Sequence, residues 1–441
     1  MLKFHFNVGN DIGNSEQDIY VDGVLVRQPN VFSLTGQIPW SDDDVDVQKN
    51  LKNIYDNLAV SIVSGSGIQT GLYTIGKHAL KTNGENVTSL YVKGNGTKAD
   101  QMVPYINTLS AIAARAVEKA NALGELADEI EVIVDMAAAL PVKQHSPENT
   151  RKMRDKFMNG THSVSVHLGL TKKIDVKIKF DYVHILQEGT PVTFALQMDS
   201  KGNWRTSGYE DTNEGTNQEL PLFKEFAETY NLGDIDGSFL DGKNVLHLDC
   251  GDGTTDSPFT RGDAVDKDFC DGVNHGIGHA IDPAIPDLIN LAPHAFNSLS
   301  RQQYSEILKS QFSGRPHKFL NEAIQAFGPH CGNQVAQIIK HANDQILNIG
   351  PNEIDIIAVY GGGSILMRDH LFPKLKELAE STRIMLFYVP KEYAVTLNAE
   401  GLDFFVRSPI YAQLKQDYEA ATTAKKTVKT AAKEVASTKE N

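Results

Sequence analysis

Cysteine is nearly absent from this 441-residue chain: Cys250, Cys270 and Cys331 are scattered, and no two form a CxxC pair. So few thiols exclude a disulfide framework and fit a reducing, cytoplasmic setting. No stretch approaches the roughly 18 consecutive apolar residues of a membrane span. Nor does a basic region followed by an apolar run open the chain, so no secretory leader is read. Positive charge is also scarce, since 42 Lys and Arg against 56 Asp and Glu leave a formal charge of −14. That balance argues against direct membrane or broad nucleic-acid binding, and any role on DNA is expected to pass through a DNA-binding adapter. What remains is an ordinary soluble composition, 41% apolar and 22% charged, in a chain long enough for two or three domains.

The opening residues Leu2 to Val8 alternate apolar and polar, the period of a half-buried strand, and a tight turn follows at Asp11-Ile-Gly-Asn-Ser15. Asp18 to Asp22 and Val24 to Val26, split by Gly23, complete an antiparallel meander. The acidic run Ser41 to Asp46 reads as a solvated loop. Pro104 to about Leu123 has helical spacing with Gly124 as its stop, and Ser146-Pro147 caps a second helix to about Met158. Val164 to Gln187 predicts two strands joined near Lys172, and residues 199 to 219, rich in small polar residues, a surface loop. Val245-Leu-His-Leu-Asp249 then repeats the opening pattern of strand and glycine turn, which points to an internal duplication. Ile354 to Val359 and Ile384 to Val389 read as buried strands, and the tail from about residue 421 as flexible or a marginal exposed helix.

The strongest chemical signal is Leu246-His-Leu-Asp249-Cys250-Gly251-Asp252-Gly253-Thr254-Thr255-Asp256. An acid at the end of a buried strand can hold a divalent cation through water and orient an attacking water. Glycines let backbone N–H groups approach phosphate oxygens, and threonine hydroxyls add donors. Asp11-Ile12-Gly13-Asn14-Ser15 is the same device at the head of the first half, the second jaw of a phosphate clamp. Tyr360-Gly361-Gly362-Gly363-Ser364 follows a buried strand and precedes a helix, where backbone can pass close to a flat adenosine. Asn274 to Ala280, with Gly276 and Gly278, could add another backbone stretch. His275 and His279 share helical spacing without an evident third ligand, so a zinc site is not expected. His5 and His247 read as packed core residues, and the cysteines as small buried hydrophobes.

Order and spacing of these segments resemble the superfamily of actin, sugar kinases and heat-shock chaperone ATPases, and more narrowly the bacterial actin-like filament proteins of the ParM group that segregate plasmids. The resemblance spans about residues 1 to 410. It also rests on Tyr73-Thr-Ile-Gly-Lys77, Ala139-Leu-Pro-Val142 and Asn398-Ala-Glu-Gly-Leu402. It implies an α/β fold with two ribonuclease-H-like mixed sheets around a nucleotide cleft. One domain would cover residues 1–188, with a C-terminal return at about 401–420. The other would cover 189–400, with residues 200–243 as a possible insertion. It implies ATP or ADP with Mg²⁺, the metal held through water by Asp11 and Asp249. Gly13, Asn14, Ser15, Gly251, Asp252, Gly253, Thr254 and Thr255 would meet the phosphates, with Gly276 beside them and Gly361, Gly362, Gly363 and Ser364 on the adenosine side. Glu188, at the place of the family's water-positioning acid, would join Asp11 and Asp249 as catalytic; it also reads as an ordinary glutamate at a strand end. The chain would polymerise with itself and reach plasmid or phage DNA through an adapter. A small-molecule kinase on the same fold is the alternative; a chaperone-type ATPase would need more chain after residue 410.

Overall fold

In a computed structural model, residues 2–84, 86–90, 96–209, 221–262 and 264–437 are described, those past 423 only as backbone. Ten strands share the first sheet: β1 Leu2–Ile12, β2 Glu16–Val21, β3 Val24–Pro29, β4 Val31–Thr35, β5 Ala59–Ser64, β6 Gly71–Ile75, β7 Thr88–Ser89, β8 Glu129–Leu140, β9 His162–His167 and β10 Lys173–Gln187. Their order is β3-β2-β1-β8-β10-β9-β5-β6-β4-β7. The β1–β2–β3 meander is antiparallel, whereas β1, β8 and β10 run parallel. The second sheet repeats that scheme: β11 Asn244–Cys250, β12 Thr255–Ser257, β13 Phe259–Arg261, β14 Ala264–Val265, β15 Asp271–Val273, β16 Ile356–Tyr360 and β17 Met385–Tyr388. Again a hairpin strand, β11, is followed by two parallel neighbours, β16 and β17.

Burial follows from pattern. β1 alternates in its outer half and is buried where β8 and the helix Leu397–Val406 cover it. β16 lies between neighbours and is wholly buried, and β8, alternating in its first half, is so from Met136 to Leu140. The helix Val103–Ala122, begun by Pro104 and ended before Gly124 at φ 70°, buries most of its length in the core of the first half. In the second half, one apolar cluster packs beneath the helices Ile277–Leu291 and Leu320–Ile349, and another lies on the other side with Val192, Phe223 and Phe387.

Several local expectations need correction. The acidic run at 41–46 leads into a helix, Asp43–Lys52, in which Asp43 is a strut: it accepts bonds from the Thr171 backbone N–H (2.9 Å) and hydroxyl, tying the helix to the β9–β10 turn. His5 is exposed and bonds Asp135 (2.9 Å), while His247 is buried as expected. The segment 199–209 is no simple surface loop. Arg205 and Tyr209 are buried, with Arg205 Nη1 2.6 Å from Glu400 Oε2, because a guanidinium enclosed this deeply needs a carboxylate. Residues 210–219 of that segment lie outside the described residues. Cys250 and Cys331 are buried, but Cys270 only partly. The C-terminal helix runs Pro409–Ser437, where a flexible tail was one of two expectations; residues 438–441 lie outside the described chain.

Candidate functional site

β1 and β2 pair up to Ile12 and Gln17, leaving Gly13-Asn14-Ser15 to cross between them. Gly13 has to be glycine, since a Cβ would stand 2.3 Å from the carbonyl oxygen of Glu16. The turn is held from below by its own half. Asn30 Nδ2 donates to the Gly13 carbonyl (2.6 Å), and Asn107 Nδ2 donates to Asn30 Oδ1 (2.8 Å). Beside them Asn10 and Gln17 both donate to Thr108 Oγ1. These buried amides find partners among themselves, so the network fixes the turn against the helix Val103–Ala122.

The second turn is closed by Gly251 N–H donating to Thr254 O (2.9 Å), one residue pair beyond the Cys250–Thr255 register. It is held from outside. Ile277 N–H and Gly278 N–H donate to the Gly251 and Asp252 carbonyls (3.1 and 2.7 Å). Arg301 Nη1 bonds Asp252 at 2.9 Å and its other nitrogens bond Asp282. Gly361 and Gly363 press on the Cys250–Gly251 backbone, where added Cβ atoms would stand 2.6 and 2.7 Å from the Cys250 carbonyl oxygen.

Between the turns lies a cavity of about 580 Å³. Asp11, Gly13, Asn14, Ser15, Glu188, Asp249, Gly251, Asp252, Thr254, Gly361, Gly362 and Gly363 all line it. Four expected residues do not line it. Thr255 is buried, its hydroxyl donating to His275 O (2.7 Å), and Ser364 is buried, bonding Gly361 O (2.8 Å). Gly276 packs under the second turn, where a Cβ would stand 2.5 Å from Asp252 O, and Gly253 meets His279 Nε2 through its carbonyl (3.0 Å). These four brace the wall rather than face the cavity. A neighbouring hollow of about 430 Å³ shares Phe312, Ile365, Lys391 and Glu392 with it.

Acid dominates the floor. Burial, then the nearby Glu188 carboxylate, pushes Asp249 and Asp256 up to about 7 and raises Asp11 well above the usual carboxylate range. Lys98 stands among them, its Nζ 2.6 Å from Glu188 Oε1. Burial works against its ammonium, yet Glu188, Asp11 and Asp256 outweigh that and hold its pKa above the ordinary lysine value. Asn398 Nδ2 donates to Asp249 Oδ2 (2.6 Å), while Gly189 N–H donates to Asn398 Oδ1 (3.2 Å), so one amide spans the junction of the two sheets. Val142 N–H donates to Asp256 Oδ1 (3.0 Å) across the same junction.

Lys98 and the cleft-lining role of Asp256 escape a reading by motif. Lys98 is a single lysine after Gly94-Asn-Gly-Thr97, without periodicity or motif to mark it. Asn398 belongs to a segment that carries the family resemblance, yet nothing local to it indicates that it reaches Asp249.

Crowded, desolvated carboxylates with one ammonium among them suit a hard divalent cation. Among the described residues no three His, Cys, Asp or Glu side chains converge to cage an ion alone.

No protein-family model and no curated protein sequence matches the chain. Solved structures do. The actin-like protein Alp7A superimposes with a TM-score of 0.63 at 15% identity, covering 95% of this chain and 100% of its own. The archaeal actin homologue Ta0583 gives 0.56 at 15%, covering 90% and 98%. ParM of Bacillus thuringiensis, solved with ATP, gives 0.52 at 15%, covering 93% and 99%. Among the described residues no helix is long and apolar enough to cross a membrane. Two meander-led sheets facing each other across an acidic cavity, matched over nearly the whole chain by these structures, give the protein the actin-like two-domain fold.

Proposed function

We propose that the chain is an ATP-hydrolysing, filament-forming protein that positions plasmid or phage DNA by polymerising. The observation that carries this reading is the pairing of two glycine turns, each led by an acid (Asp11 half-buried, Asp249 buried), across one cavity that also receives Glu188. In it the domains divide near Glu188, residues 200–243 form an insertion in the second, and residues 401–420 return to the first.

The turns would present backbone N–H groups of Gly13, Asn14, Ser15 and Asp252 to the phosphates, with Gly251 giving the close backbone approach and the Thr254 hydroxyl, which donates to Asp256 Oδ2 (2.8 Å), turning to add a donor. Gly361 to Gly363 would lie along the adenosine side. Asp11 and Asp249 would hold Mg²⁺ through water, and the ion would supply charge neutralisation on the phosphate oxygens. Glu188 would orient the attacking water. A bond forms from the water oxygen to the γ-phosphorus as the bond to the β–γ bridging oxygen breaks. One water proton stays on the released phosphate and the other leaves by way of Glu188. Closure of the cleft in a filament would complete this arrangement, and phosphate release would loosen it. The solved structures of Bacillus thuringiensis ParM with ATP and with ADP support the choice of nucleotide.

Sedimentation tests the reading. With Mg²⁺ and ATP the protein should pellet at micromolar concentration and return to the supernatant as phosphate appears; with ADP, or as Asp249→Ala, it should remain soluble. Sustained ATP turnover without any pelleting would instead favour a small-molecule kinase on the same fold.

A further inference from the structure

Lys98 is placed with unusual care for a loop residue. It opens a short 3₁₀ turn, Lys98–Asp100, closed from both ends: Asp100 Oδ2 accepts from the backbone N–H (3.1 Å) and the hydroxyl (2.7 Å) of Thr97, and the Asp100 N–H donates to the Thr97 carbonyl (3.0 Å). Lys152 from the helix Pro147–Met158 pairs with Asp100, and the Lys98 N–H donates to Gln144 Oε1 (2.9 Å). The backbone is therefore pinned from two neighbouring segments. The side chain is 6% exposed and lines the cavity with Asp11, Glu188, Asp249 and Asp256.

Purely structural needs do not explain that position. An ammonium enclosed this deeply loses most of its hydration, and a buried ion pair returns little net stability. Glu188 Oε1 takes one of its three protons, so the ammonium can serve a second group from the same place. That place borders the cavity between the turns.

We propose that Lys98 is a further catalytic residue: it holds Glu188 in the empty cleft and, when nucleotide enters, gives its ammonium to the terminal phosphate. The inference rests on the nucleotide-hydrolysing reading above. No bond is made or broken in the exchange itself. The positive charge moves from one anion to another, so Glu188 becomes free for water only in a cleft that contains a third phosphate. ADP, lacking that phosphate, leaves the Lys98–Glu188 pair intact. The device thus couples release of the water-orienting carboxylate to the identity of the ligand.

The test is binding rather than turnover, read in the Glu188→Gln background. Both charges of the pair are then neutralised in Lys98→Met/Glu188→Gln, which removes the risk of stranding one buried ion. Affinities for ATP and ADP are measured by calorimetry with Mg²⁺ present, and circular dichroism reports folding. Glu188→Gln should prefer ATP over ADP; the double variant should lose about tenfold of that preference while its ADP affinity changes little. Lys98→Arg/Glu188→Gln, which keeps the charge, should recover most of the loss. Equal loss for both nucleotides, or an unchanged preference, overturns the role of Lys98 while leaving the nucleotide reading standing. Failure of the wild-type protein to bind either nucleotide overturns both.

Discussion

The two glycine turns look alike in sequence but are stabilised in opposite ways. The first is tight within itself: Gly13 has no room for a Cβ because Glu16 of the same turn is in the way, and Asn30, Asn107 and Thr108 of its own half fix it. In the second, a Cβ on Gly251 would stand 3.3 Å from Thr254 O, an uncomfortable but adjustable contact. The strict steric demands there fall on Gly276, Gly361 and Gly363, drawn from two distant segments that close upon it. The first turn is a feature of one hairpin, whereas the second is the meeting point of three segments. Movement in the helices that follow Gly276, or in the helix that begins at Gly362, will therefore reach the backbone of the second turn directly, whereas the first turn meets that half only at its rim, where Gln302 Nε2 donates to the Ser15 carbonyl (3.3 Å) and Lys309 stands 3.6 Å from Glu16.

The largest test of that contrast is Gly361→Ala. Gly361 sits at φ 88°, and a Cβ would stand 2.6 Å from both Asp249 Oδ1 and Cys250 O, so strain and overlap add. Urea unfolding should show a loss of about 3 kcal/mol, with Gly251→Ala costing below about 1 kcal/mol in the same assay. Comparable losses would mean that the second turn is as self-contained as the first.

Next comes Arg301→Ala, which strips Asp252, whose side chain is 7% exposed, of its partner. Arg301 keeps a fifth of its side chain in solvent, so the expected destabilisation is about 2 kcal/mol, below the roughly 3–5 kcal/mol of breaking a fully buried pair. Asp252 already has a raised pKa, from burial partly offset by Arg301, and removing the guanidinium should raise it further. The folded-state pKa then lies further above the unfolded value. The variant's deficit should therefore be small below the unfolded pKa and grow as pH rises through the folded one, which urea titrations at several pH values will show. A smaller effect than at Arg301 is expected for Asn30→Ala beneath the first turn, about 1.5 kcal/mol for two neutral buried hydrogen bonds, its own to the Gly13 carbonyl and the one it accepts from Asn107. A larger cost there than at Arg301 would reverse the comparison.

Much of the fold was legible because the signals were local. The helix Val103–Ala122 could be read from apolar spacing between Pro104 and Gly124, and Ser146 does cap its helix, accepting from Asn149 N–H at 3.2 Å. Recurrence of a strand and acid–glycine turn at Asp11 and Asp249 indicated a duplicated architecture before any coordinates. Less legible were elements whose stability comes from distant partners. Arg205 lies in a stretch of turn-forming residues, and its burial is tolerable because Glu400, 195 residues away, neutralises it while the Ala195 and Ser207 carbonyls accept its other bonds. Asp43 could not be read as a strut because Thr171 is 128 residues distant. His5 sits in a strand pattern, but position near the outer end of β1 leaves its ring in solvent beside Asp135.

The amino-acid sequence by itself determined the periodicities, the two acid–glycine turns and the glycine run at 361–363, since each depends on residues within a few positions of one another. Tertiary structure alone decided which of those residues face the cavity. Thr255 and Ser364 carry the expected hydroxyls but spend them on His275 and Gly361. Lys98 and Asn398, from opposite ends of the chain, complete the acidic floor. The physical reason is desolvation. Charged and polar groups crowded in a closed cleft must each find a partner, and which partner is within reach depends on how the two sheets meet.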